Sequence, residues 1–185
     1  MRSAIRRLAI LAASAALAVT ALGSCAAPPP PRPTPSASAA APVFESEEEA
    51  LAAATEAYAA YQAMSTTVAQ QGGMSPERMG EFAVGEALEA EITSLESLSK
   101  AGQRGIGSLA FDKLTLQSTD LASGAVEAYL CLDVSGTDVV DVSGASTVPP
   151  DRPLRLPLQV SFAPSPNGLL LLVERSESWR GENFC

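Results

Sequence analysis

The 185-residue chain contains no histidine, so the side chain that most often serves as a general base near neutral pH, and the usual imidazole metal ligand, are both missing. Any chemistry must come from three cysteines (Cys25, Cys131 and Cys185), from Tyr58, Tyr61 and Tyr129, or from carboxylates. A cysteine can be acylated, can pair with a second thiol, or can act as a nucleophile when a positive neighbour lowers its pKa. The charges near Cys131 and Cys185 in sequence are Glu127, Asp133 and Glu182, which oppose the third use. A phenol or carboxyl group transfers protons when its surroundings bring its pKa toward the working pH. Tyr58, Tyr61, Tyr129 and Asp133 are the residues to weigh for that role. Asp133, Asp138 and Asp141 lie close together, but their spacing is not that of a calcium-binding loop, and they read as solvated turns. Gly102, Gly105 and Gly107 lack the Lys and Ser/Thr of a phosphate loop and precede a strand instead of following one. No metal and no cofactor is expected.

The first thiol is set in a distinctive context. Arg2, Arg6 and Arg7 precede an uncharged run from Leu8 to Leu22 rich in Leu, Ile, Ala and Val, the arrangement of an export signal. As a helix this run would span only about 22 Å against a hydrocarbon core of about 30 Å, which favours a cleaved leader over a permanent span. Leu22, Gly23, Ser24 and Cys25 then resemble the bacterial lipobox, a Leu and two small residues before a Cys. The resemblance implies that Cys25 receives a diacylglyceryl group, that residues 1–24 are removed, and that the protein sits lipid-anchored on the outer face of the cell membrane. Each buried acyl CH₂ contributes about 0.8 kcal/mol, and two chains hold where one does so only marginally.

Removing residues 1–24 takes away three of the 12 basic residues and none of the 21 acidic ones, leaving a net charge of −12. A phosphate backbone repels such a chain, so nucleic acid is not an expected partner. Residues 25–42 form the anchor and a linker: positions 26–42 hold seven prolines and, outside them, no apolar side chain larger than Ala. This composition favours an extended, unpacked spacer of at most about 50 Å.

The remaining stretch, 43–185, is long enough for one domain with a sizeable core. Ser46 and Glu49 form a capping-box pattern, with Glu47 and Glu48 at the positive end of the helix they open. Leu51, Ala54, Tyr58, Tyr61, Ser65 and Val68 recur at helical steps, and Gly72 and Gly73 end the helix. Ser75-Pro76 reads as a cap followed by Pro at the first helical position. Met79, Phe82, Leu88, Ile92, Leu95 and Leu98 continue the helical period to Gly102, with a break expected near Gly85. Beyond Gly107 the pattern alternates. Leu109 and Phe111 share one phase and Leu114 and Leu116 the other, which places a bulge at Asp112 and Lys113. Val126 to Val134, Leu154 to Phe162 and Leu169 to Trp179 supply three more strands, with Pro157 assigned to an edge or irregular site. Helices first and about four strands after give an α+β domain, its helices packed on a curved antiparallel sheet. Tyr129 and Asp133 share a strand face with Cys131, opposite the apolar row, and should point away from the helices. Tyr58 and Tyr61 lie in the first helix's core stripe and mark a possible pocket.

With Cys25 assigned to lipid, Cys131 and Cys185 admit one intramolecular pairing outside the membrane. Around them, Cys131-Leu-Asp133-Val, Asp151-Arg152-Pro153 and Trp179-Arg-Gly181-Glu-Asn-Phe184-Cys185 resemble the small secreted lipoproteins of high-GC Gram-positive bacteria. That resemblance implies an NTF2-like, cone-shaped domain over roughly 43–185, and it speaks for fold more than for function. The expected role is a non-catalytic binding or assembly module with an envelope protein or a small ligand as partner. The alternative is a small-molecule carrier or isomerase-like enzyme using the cone cavity. Pairing of two copies through the outer sheet face would give a homodimer.

Overall fold

The computed structural model describes residues 43–168 and 170–185. Its first element, α1 (Glu47–Gln70), begins where Ser46 Oγ accepts the Glu49 N–H at 3.2 Å, with three acidic residues in the first turn. The Glu49 carboxylate reaches back one residue further than a capping box requires and accepts the Glu45 N–H at 2.7 Å. Along the helix Ala50, Ala54, Tyr58, Tyr61, Gln62, Ser65 and Val68 are buried; Leu51, at the edge of that stripe, is only half-buried. Gly72 and Gly73 then take left-handed backbone, φ 70° and 72°. At Gly73 a Cβ would collide with the Leu95 carbonyl, so only glycine lets the chain turn this close to the next helix.

Pro76–Glu81 forms a short 3₁₀ segment and α2 spans Gly85–Lys100. The break near Gly85 is where the sequence places it. Ser75, however, is not a cap. Its backbone is left-handed, at φ 56°, and its side chain makes no capping bond. Between the two helical pieces, Phe82 to Val84 runs along the last strand: the Val84 N–H donates to Val173 O at 2.9 Å and the Val173 N–H to Phe82 O at 3.0 Å. These bonds cover a sheet edge that would otherwise be open to pairing.

Six strands follow: β1 (Arg104–Gly107), β2 (Ala110–Asp120), β3 (Ala125–Asp133), β4 (Thr137–Val140), β5 (Arg155–Pro164) and β6 (Leu171–Ser178). The main sheet is the antiparallel order β2-β3-β5-β6, while β1 and β4 pair separately. The four-stranded curved sheet with helices on one face is the architecture the residue pattern predicts. The β1/β4 ribbon is additional, because four-residue strands around Gly105 and Gly107 carry too little alternation to read.

The bulge at Asp112 and Lys113 is present. Pairing slips between Asp112 and Thr115, Lys113 has φ 54°, and a second slip lies between Leu116 and Ser118. Pro157 is not on an edge strand: β5 is internal, and Pro157 pairs with Cys131 of β3. Its tolerance has a local cause. Pro157 O accepts from the Trp179 N–H at 2.8 Å, so its missing donor faces the side where β6 has already ended. The core lies between the helices and the inner row of Val126, Ala128, Leu130, Leu158, Val160 and Phe162, all buried.

Candidate functional site

The tyrosines of α1 meet the core, not a cavity. Tyr58 is fully buried, with Phe111 edge-on to its ring at 4.9 Å and the Tyr61 ring 5.9 Å away. Burial pushes the Tyr58 phenol up to about 12; Ser176 and Gln62 nearby oppose this slightly and the Glu91 carboxylate adds to it. Neither of those two polar neighbours meets the Tyr58 hydroxyl in hydrogen-bond geometry. Tyr61 is also buried, and its phenol is raised first by desolvation and then by the Glu91 carboxylate, to which its hydroxyl donates at 3.1 Å. Ser65 Oγ donates to the other oxygen of Glu91 at 2.6 Å. Both phenols are therefore held protonated at neutral pH. Tyr58 and Tyr61 thus pack instead of lining an open pocket: Tyr58 lies against Phe111 of β2, and Tyr61 and Ser65 meet Glu91 in a polar seam between α1 and α2.

Glu91 went unnoticed in the sequence although a signal existed. It falls between Ala87 and Leu95 on the buried face of α2, where an acid requires a partner. Ser65 occupies the matching polar position on the apolar stripe of α1.

An apolar recess opens elsewhere, at the N-terminal half of α1. Ala53, Ala57 and Ala60 form one wall, Val43 and Phe44 a second, Phe82 a third, and Leu170 to Leu172 the fourth. Its volume is about 500 Å³, within the range of small-molecule sites. The cause is simple. Alanines at i, i+4 and i+7 flank the core stripe of α1, and their short side chains leave room against the loop leading into β6. Leu170 is 62% exposed at the mouth. Glu49, Glu56 and Glu81 are the charged residues among the lining side chains.

On the opposite face of the sheet, Cys131 and Cys185 are joined in a disulfide, with Cα atoms 5.6 Å apart. Tyr129 lies on this outer face, as expected, with the Trp179 ring 5.0 Å and the Phe184 ring 6.0 Å away. Lys113, aimed by the bulge, donates to Phe184 O at 3.2 Å. Gly181 passes so close to the Trp179 indole that a Cβ would strike it. The motif Trp179 to Cys185 is thus a clasp for the chain end. Arg152 ties down the neighbouring loop, donating to Val134 O at 3.2 Å and also to Thr137 O.

The aspartates serve local structure. Asp133 pairs with Arg155 at 3.1 Å, and Arg155 also pairs with Asp112 at 2.6 Å. Bonds from Ser135 first, then Arg155, hold the Asp133 carboxyl below its ordinary range. Asp141 accepts from the Ser143 hydroxyl and from the Ser143 and Ala145 N–H groups, which lowers its pKa. Asp138 accepts from Ser146 Oγ at 2.9 Å. Among the described residues no three metal-ligating side chains come together. No described helix is long and apolar enough to cross a membrane. Cys25, residues 1–24 and the linker lie outside the described residues.

Neither a family model nor a curated protein matches this sequence. Among solved structures, the intermembrane-space region of the chloroplast protein ARC6 is 16% identical, with a TM-score of 0.48 over 68% of this chain and 92% of that one. Aln2 from a Streptomyces species is 16% identical, with a TM-score of 0.47 over 74% and 94%. A Catenulispora acidiphila protein in complex with S-DNPA is 17% identical, with a TM-score of 0.44 over 69% and 92%. Likenesses of this degree carry nothing about ligand or activity.

Proposed function

We propose that this chain is an extracytoplasmic lipoprotein, acylated at Cys25, whose NTF2-like domain is a non-catalytic module that binds a small apolar ligand in the groove beside α1. The groove is the observation that carries the reading. It offers alkyl and phenyl surface with carboxylates among its lining, and among the described residues no thiol, hydroxyl or buried acid lines it. The alternative, an isomerase-like enzyme working inside the cone, needs a proton-transfer group facing open space. The groups that could serve are instead engaged with one another, the Tyr58 ring near Tyr61 and the Tyr61 hydroxyl on Glu91.

The groove half of the reading is tested by plugging it. Ala60→Phe places a ring in the recess on a helix face away from the buried stripe. It should weaken uptake of the neutral probe decyl maltoside at least about tenfold, with the far-ultraviolet circular dichroism unchanged. Equal uptake by both proteins would remove the groove as the site.

The anchor half rests on the lipobox resemblance and on the proline-rich stretch that follows it. Cys25→Ser should abolish incorporation of labelled fatty acid and leave residues 1–24 attached, as read by mass spectrometry of the N-terminal peptide. A cleaved and unmodified Cys25 in the wild-type protein would remove that half.

A further inference from the structure

The charges lining the groove are of one sign. Glu49, Glu56 and Glu81 contribute carboxylates and no Lys or Arg joins them. Glu49 is engaged by the Glu45 N–H, whereas Glu56 and Glu81 form no ion pair among the described residues. Cations are scarce on the domain, eight Lys and Arg against 21 Asp and Glu from residue 43 onward, and none is among the residues lining the groove. Arg155 and Arg175 are paired with acids elsewhere, and Lys113 is committed to the chain end. The apolar walls meanwhile leave Leu170 largely exposed and Val43 partly so. Alkyl surface lined by carboxylates, two of them without an ion-pair partner among the described residues, complements a molecule with an apolar body and a positive head. It disfavours a fatty acid or any other anionic amphiphile, whose head would have to sit among like charges.

We infer that the groove selects cationic amphiphiles, the alkyl or ring body packing between Ala53, Ala57, Phe82 and Leu172 and the amine or quaternary ammonium lying toward Glu56 and Glu81. This rests on the groove being the binding site, and it adds the ligand's class. Selectivity should be moderate, because the carboxylates stand near solvent and salt screens them.

The test uses three probes with one tail: decyltrimethylammonium, decyl maltoside and decyl sulfate, each kept below its micelle-forming concentration. Each is titrated into methyl-labelled full-length protein, with the Ala57 and Leu172 signals as local reporters. The expected result is saturable shifts at both methyls, with the cation about tenfold tighter than the anion at low salt and the gap narrowing as salt is added. Glu56→Gln combined with Glu81→Gln should weaken the cation about three- to fivefold and leave the neutral probe unchanged. Equal affinity for all three probes, with groove shifts present, overturns the charge selectivity and leaves the groove standing. Absence of groove shifts for every probe, or concentration-dependent shifts at these methyls without any probe, which would seat a second copy of the chain there, overturns both.

Discussion

Cys185→Ser should unfold about 4 kcal/mol more easily than the wild-type protein. Cys131 and Cys185 are 54 positions apart, and closing a loop of that size removes about 4 kcal/mol of unfolded-state entropy at 25 °C. The native side of the balance points the same way. The segment beyond β6 contains no helix or strand, and besides the disulfide it is held by the Tyr129, Trp179 and Phe184 rings and by Lys113 at the chain end. Losing the bond lets the last residues leave, exposes the outer face around Tyr129 and leaves Cys131 as a thiol on an uncovered strand. Urea unfolding of the wild type and the variant, with Trp179 fluorescence as a second reporter, measures both effects. A difference below about 1 kcal/mol, with unchanged fluorescence, would mean that the ring cluster holds the tail without the disulfide.

The second large effect is an alkaline loss of stability centred on Tyr58. Burial raises its phenol from 10.0 to about 12, so the folded state keeps its proton in a pH range where the unfolded chain releases it. The contribution is fully present below pH 10 and disappears as pH rises through about 12. Over that window, two pKa units correspond to about 3 kcal/mol. Tyr61, raised by burial and by Glu91, adds in the same direction. Tyr58→Phe should remove the Tyr58 share and flatten the pH profile between 10 and 12. At neutral pH the change should be small or favourable, because the hydroxyl has no protein partner to lose. A loss of more than about 2 kcal/mol at pH 7 would show that the hydroxyl is engaged after all.

Regular periodicity carried most of the architecture. The helical stripe ending at Gly72 and Gly73, the switch to alternation after Gly107 and the phase change around Lys113 each report a backbone requirement that only certain residue types satisfy. Ser75 misled because a Ser-Pro pair looks alike whether or not the serine caps; here the turn from Gly73 leaves it with left-handed backbone. Pro157 lies within an internal strand, yet at a point where its neighbour has ended, so the site is locally an edge. Whether a missing donor matters depends on where the neighbouring strand stops, which is a property of β6 and not of β5.

The candidate site was harder to read than the fold. Tyr58 and Tyr61 are visible as aromatic residues on a helix face, but the burial of Tyr58 against Phe111 depends on a strand more than 50 positions away. The groove was least visible of all. Its walls are alanines, ordinary in any helix, and only the way α1 sits against the loop before β6 turns their missing volume into a recess. Asp141 is the turn residue its setting indicates, and Asp133, weighed for proton transfer, is a turn and ion-pair residue instead.

The most direct test of the account is where an apolar ligand lies on the molecule. Intermolecular nuclear Overhauser effects between the decyl chain of decyl maltoside and the protein's methyl groups report this by proximity alone. The account predicts cross-peaks to Ala53, Ala57 and Leu172. Cross-peaks to Leu130 and Val160 on the inner sheet face, or none to any methyl, would contradict it.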